Sequence, residues 1–183
     1  MAGFPGQEQI MSVSLVLTVI GDDRPGLVEQ LSTVISRHNG NWLESSMSHL
    51  AGKFAGIVCV SIDESDLDAL RGDLAQLPGL RITAETSGEV SAETGRRLTL
   101  ALVGHDRIGI VREVAQVLAR HAVNVEELNT HTASAPMSAE ILFHATAELT
   151  ASPELDTHAL VRELEQISND LMVDITLDET IRP

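Results

Sequence analysis

"VIGDDRPGLVEQLSTVISRHNGN" spans Val19–Asn41, and "LVGHDRIGIVREVAQVLARHAVN" spans Leu102–Asn124. The two stretches align without a gap at a constant offset of 83. Extended to residues 15–46 against 98–129, the comparison gives 12 identities in 32 positions. These include Gly21/Gly104, Asp23/Asp106, Arg24/Arg107, Gly26/Gly109, Arg37/Arg120, His38/His121 and Asn41/Asn124. Several other positions, such as Val19/Leu102, Leu27/Ile110 and Ile35/Leu118, exchange one apolar residue for another. A duplicated unit is the simplest source of such a pattern.

Both copies read alike. "SVSLVLTVI" (Ser12–Ile20) and "RRLTLALV" (Arg96–Val103) are β-rich and almost continuously apolar, which predicts central strands. Leu27, Val28, Leu31, Val34 and Ile35 then fall on one helical stripe, as do Ile110, Val111, Val114, Val117 and Leu118. His38-Asn39-Gly40 supplies helix-stop chemistry. A strand pair follows in each copy: Asn41–Leu50 with Phe54–Ile62, and Asn124–Ala133 with Ser138–Glu148, the latter joined around "SAPM". Second helices carry Leu67, Leu70, Leu74 and Leu77 in one copy and Leu160, Leu164 and Ile167 in the other. Ser152-Pro153 is predicted to start the latter as cap and first-turn residue. Final strands fall at Leu80–Thr86 and Leu171–Leu177. The order βαββαβ, twice, predicts an α+β fold of two ferredoxin-like units at 12–87 and 96–180, with a linker at 88–95. Each is small enough to bury only a modest core, and its open edges invite a second unit.

Composition narrows function. Asp plus Glu number 27 against 12 Lys plus Arg, a formal net charge of −15. Such a surface repels phosphate backbones, so direct nucleic-acid binding is not expected. Four aromatic side chains, none of them tyrosine, leave little for base stacking. No apolar run reaches the roughly 18 residues of a membrane helix, and "MAGFPGQEQIMSVS" lacks the pattern of a secretory leader. The cytoplasm is the expected location, and Cys59 has no internal disulfide partner. Its apolar surroundings predict a core thiol.

The repeated turn is the candidate site. Asp23 and Asp106 stand where an N-cap is expected, and Pro25 suits a first helical turn. Gly26 and Gly109 let other atoms approach the backbone. Free N–H groups at a helix start, with the macrodipole, seat a carboxylate. Asn41 and Asn124 open the following strand, which is expected beside the end of the first one, and each offers a donor and an acceptor. An anion acceptor, a carboxylate and an amide together suit a zwitterion such as a free amino acid.

These residues resemble the signature of ACT domains, small regulatory modules that bind amino acids. The resemblance covers almost the whole chain as two tandem domains. "NWLESSMSHLAGKFAGIV" and "NVEELNTHT" are further similar to the glycine cleavage system transcriptional repressor family. The resemblance implies two units side by side as an eight-stranded antiparallel sheet, helices on one face and ligand sites at the seam. It implies ligand contacts from Asp23, Arg24, Pro25, Gly26 and Asn41, then Asp106, Arg107, Gly109 and Asn124, and the adjoining Asp22 and His105 join them as candidate ligand-binding residues. Ile108 replaces the usual proline and His105 stands opposite Asp22, so equal binding by the two copies is not expected. The implied role is glycine-responsive repression through a transcriptional activator protein, in a homo-oligomer such as a dimer. The alternative is an interaction module that regulates a metabolic enzyme in trans.

Other chemistry finds little support. His38 and His121 sit at helix ends, where a cation suits the dipole. His131 and His144 are placed across a hairpin, but no zinc-type spacing is present and no metal or cofactor is expected. Arg24 with Asn41 imitates an acylphosphatase pair, yet Asp22 and Asp23 would repel a phosphate there. No Ser-His-Asp spacing, P-loop or GxGxxG appears, and the protein is not expected to be an enzyme.

Overall fold

The computed structural model describes residues 11–88, 95–135 and 140–179. Residues 1–10, most of the linker at 88–95 and part of the "SAPM" connection lie outside the described residues. The chain divides into two compact units near residue 91. The first comprises β1 (Ser12–Asp22), α1 (Leu27–Arg37), β2 (Asn41–Leu50), β3 (Lys53–Asp63), α2 (Leu67–Ala75) and β4 (Leu80–Ser87). The second comprises β5 (Arg96–His105), α3 (Ile110–Arg120), β6 (Asn124–Ser134), β7 (Ile141–Ala151), α4 (Thr157–Leu171) and β8 (Val173–Glu179). Each builds a four-stranded antiparallel sheet, ordered β2-β3-β1-β4 and β6-β7-β5-β8. The predicted α+β class and the two ferredoxin-like units are what the chain forms.

Strand alternation separates two faces. Leu15, Leu17 and Val19 of β1 are buried with Leu31 and Ile35 of α1 and Leu70 and Leu74 of α2. Leu98, Leu100 and Leu102 do the same under α3 and α4, with Val117, Leu118, Leu160 and Leu164. Each such side chain contributes about 1.5–3 kcal/mol by leaving water. No polar or charged residue is buried among the described residues. The opposite face of each sheet carries the alternate residues and stays open.

Several expectations shift. Val28 and Val111 are 46% and 45% exposed, so each stripe loses its outermost member. Cys59 is half-buried on the open face opposite Val16, not a core thiol, because the buried neighbours Val58 and Val60 take the other parity. Helix α4 starts at Thr157, not after Ser152. Asp156 is its cap, accepting from the Ala159 N–H at 3.0 Å, while Ser152 closes a separate turn by accepting from the Glu154 N–H. The β2–β3 hairpin turns on Ala51 and Gly52, both with positive φ (48° and 76°), the primed geometry that matches strand twist.

Candidate functional site

Strand β1 runs two residues further than its apolar pattern, so Asp22 ends it, opposite Lys53. The Lys53 ammonium donates to the Asp22 carboxylate and holds that carboxyl below its ordinary range. The Asp23 N–H donates to Gly52 O at 3.0 Å, and Asp23 Oδ2 lies 3.6 Å from His49 Nε2. Arg24 turns back, donating from Nη2 to Pro78 O at 3.0 Å and to Gln30 Oε1 at 3.1 Å.

The cap of α1 is Gly26, at φ 90°, and not Asp23. Asp23 is fastened to the hairpin three residues too early for its carboxylate to reach the first turn. Pro25 likewise precedes the cap and stands outside the helix. The left-handed φ explains the glycine. No side chain caps α1, and a Cβ on Gly26 would meet nothing closer than Gln30 Nε2 at 3.9 Å. An open, uncapped helix start therefore faces outward beside Arg24.

The second copy repeats the backbone and changes the chemistry. His105 ends β5 opposite Leu142, with Nδ1 3.9 Å from Glu140 Oε2. The Asp106 N–H donates to Ile141 O at 3.1 Å, and Gly109 caps α3 at φ 100°. Arg107 Nη2 donates to both carboxylate oxygens of Glu113 at 3.1 Å. Glu113 Oε1 stands 3.6 Å from where a Gly109 Cβ would lie. This helix start thus already has a carboxylate, where the first copy has the neutral Gln30.

Asn41 and Asn124 do not join these turns within a unit. Asn41 is level with Ser61, and Ser61 with Ser14, at the start of β1. Asp22 is level with Lys53 at its other end. Eight residues of β3 separate the two levels, roughly 26 Å at ~3.3 Å per residue. Strand β3 also stands between β2 and β1, which corrects the expected adjacency. Asn124 repeats the placement opposite Thr150, where its Nδ2 donates to Glu126 Oε1 at 2.6 Å.

A cavity of about 270 Å³ opens beside the first turn, lined by Ile20, Gly21, Asp22, Lys53, Gly79, Leu80 and Arg81. Of the predicted residues only Asp22 reaches it. Lys53 and Arg81 were invisible to motif reading because they come from β3 and β4; the one signal was that Lys53 is the chain's single lysine. Two other cavities carry no such mixture. One, about 50 Å³ beneath α3, is lined by apolar side chains such as Val111, Val125 and Leu128. Another, about 80 Å³, presents Glu127 and Glu148. Among the described residues no three potential ligands cluster for a metal, and no helix is long and apolar enough to cross a membrane.

Residues 14–80 match the ACT domain family model. A structure of an unknown protein from Galdieria sulphuraria is 32% identical, covering 93% of this chain and 100% of that one, with a TM-score of 0.85. A structure described as a candidate glycine cleavage system transcriptional repressor shares the fold at 18% identity, covering 94% and 99%, with a TM-score of 0.69. A UPF0237 protein from Methanopyrus kandleri is 42% identical over 52 residues, 28% of this chain. The match spans 58% of that relative and 59% and 60% of two others, from Pyrobaculum aerophilum and Methanocaldococcus jannaschii.

Proposed function

Because residues 14–80 match the ACT domain family model, we propose that the chain is a non-catalytic regulator that senses a free amino acid. Glycine is the favoured ligand, and the output is repression of glycine cleavage genes through a transcriptional activator protein. The observation that carries the reading is the Asp22 end of the first sheet. There the Asp22 carboxylate and the Lys53 ammonium line an open cavity, and Asp23, Arg24 and Pro25 lead from it to an uncapped helix start at Gly26. Opposite charges a few ångströms apart match a zwitterion. The shared fold with the candidate repressor supports the transcriptional side. A net charge of −15 favours a protein partner over DNA, and the cytoplasm is the proposed setting.

A ligand changes output only by favouring one arrangement over another. Dimerisation offers such arrangements. Strand β2 is a sheet edge, and antiparallel pairing with its counterpart in a second copy would bring Asn41 to the hairpin end of that copy's sheet, beside its acidic turn. Affinity capture with and without glycine tests the partner. Recovery of a transcriptional activator in a glycine-dependent manner supports the reading; recovery of a metabolic enzyme alone supports regulation of an enzyme in trans.

A further inference from the structure

Three charged side chains from three strands converge on the open face at one end of the first sheet. Asp22 (β1) and Lys53 (β3) are opposite one another, and Arg81 (β4) is opposite Ile20, two residues before Asp22. All three share the parity of Thr18 and Ile57, away from the helices. Together they line the cavity of about 270 Å³. Arg24, which does not line the cavity, lies near Gly79, its Nη2 3.4 Å from where a Cβ on that glycine would lie. Lys53, Arg81 and Arg24 are three of only 12 basic residues in a chain of net charge −15, so their convergence stands against the overall field.

The second unit has the same backbone without this charge. Matching registers put Leu142 where Lys53 stands and Asp174 where Arg81 stands. Met172, 79% exposed, takes the place of Gly79. Both cations are gone and one is reversed.

We propose that this cleft of the first unit is the carboxylate-binding site for the sensed amino acid, with Arg81 and Lys53 as carboxylate-binding residues and Asp22 as the ammonium acceptor. The second unit has no equivalent. The inference rests on the amino-acid-sensing reading and places the ligand on the sheet's open side, away from the helix start. Entry requires Lys53 to exchange the Asp22 carboxylate for the ligand's. Both side chains are largely exposed, at 59% and 82%, so that ion pair opens at little cost. Asp22 is then released to meet the incoming ammonium.

The test is calorimetric titration of glycine, of the other free amino acids and of acetate into the full chain, as wild type, Arg81→Gln, Arg81→Asp, Lys53→Leu and, as a control on the second unit's open face, Arg97→Gln. Arg81→Gln is expected to weaken amino-acid binding roughly tenfold or more, the worth of a charged hydrogen bond, and Arg81→Asp to abolish it. Arg97→Gln is expected to leave it unchanged. Amino-acid binding that survives Arg81→Asp and Lys53→Leu overturns the cleft and leaves the sensing reading standing. Acetate binding that Arg81→Asp removes, with no amino acid bound, supports the carboxylate site and overturns the sensing reading. No binding of any of these ligands by the wild type overturns both.

Discussion

His38 Nε2 lies 2.9 Å from Asp73 Oδ2, tying the C-terminal cap of α1 to α2, and Arg37 Nη1 approaches the same oxygen at 3.8 Å. The duplicated unit repeats the tie: Arg120, beside His121, donates from Nε and Nη2 to Glu163 Oε2 at 3.2 and 2.9 Å. The repeat thus preserved a helix-to-helix link along with the strands. His38 is the better-buried partner, with a side chain 16% exposed. Asp73→Ala leaves it without its acceptor and is expected to cost about 1–2 kcal/mol. Urea unfolding checks this; an unchanged midpoint would show the link to be ornamental.

Acid should weaken the fold through a defined set of carboxyls. Arg120 holds Glu163 below its ordinary 4.5, the Thr150 hydroxyl does so for Glu126, and Arg96 for Glu179. The Ala159 N–H likewise lowers Asp156 from 3.8. A depressed value means the unfolded chain takes up the proton first as pH falls. The stabilisation is therefore complete above the ordinary values and is lost as pH drops through the folded ones. The urea midpoint is expected to decline from about pH 5 towards pH 3. A midpoint that holds or rises over that window contradicts the assignment.

Gly21 permits the close approach of β1 to the turn before β4. A Cβ there would stand 2.2 Å from Gly79 O, a backbone atom that cannot rotate away. Gly21→Ala is expected to destabilise by about 1–3 kcal/mol, as overpacking does. Gly52→Ala meets no atom within 4 Å but must hold φ 76°, so its cost comes from the backbone alone. Thermal melts of the two variants separate steric from conformational loss.

Unequal copies should show in stoichiometry. Leu142 and Asp174 of the second unit stand where Lys53 and Arg81 line the cleft of the first. Titration of an amino acid that binds is expected to saturate near one per chain. Saturation at two would show that the second unit also binds the ligand, without counterparts of Lys53 and Arg81.

The fold was legible because the repeat aligned without gaps and the strands and helices kept their periods. Helix α4 was misplaced because Ser152-Pro153 imitates a start, while Asp156 makes the capping bond. The Asn41 grouping failed for a topological reason. Sequence shows that Asn41 follows α1, not that β3 intervenes between β2 and β1 or that strand direction carries it to the far end. The turn itself was legible in Asp22 to Gly26. Its charged neighbours Lys53 and Arg81 emerge only from cross-strand register, which a single sequence does not print.

The central claim is that the folded chain recognises a small zwitterion. Glycine has about five heavy atoms, and a ceiling of ~1.5 kcal/mol for each limits affinity to micromolar order at best. A ligand that binds only the folded state raises the melting temperature, so a thermal-shift screen of the twenty free amino acids at millimolar concentration is the most direct test. The expected result is a saturable rise with glycine or a close analogue. No shift with any of the twenty would contradict the account.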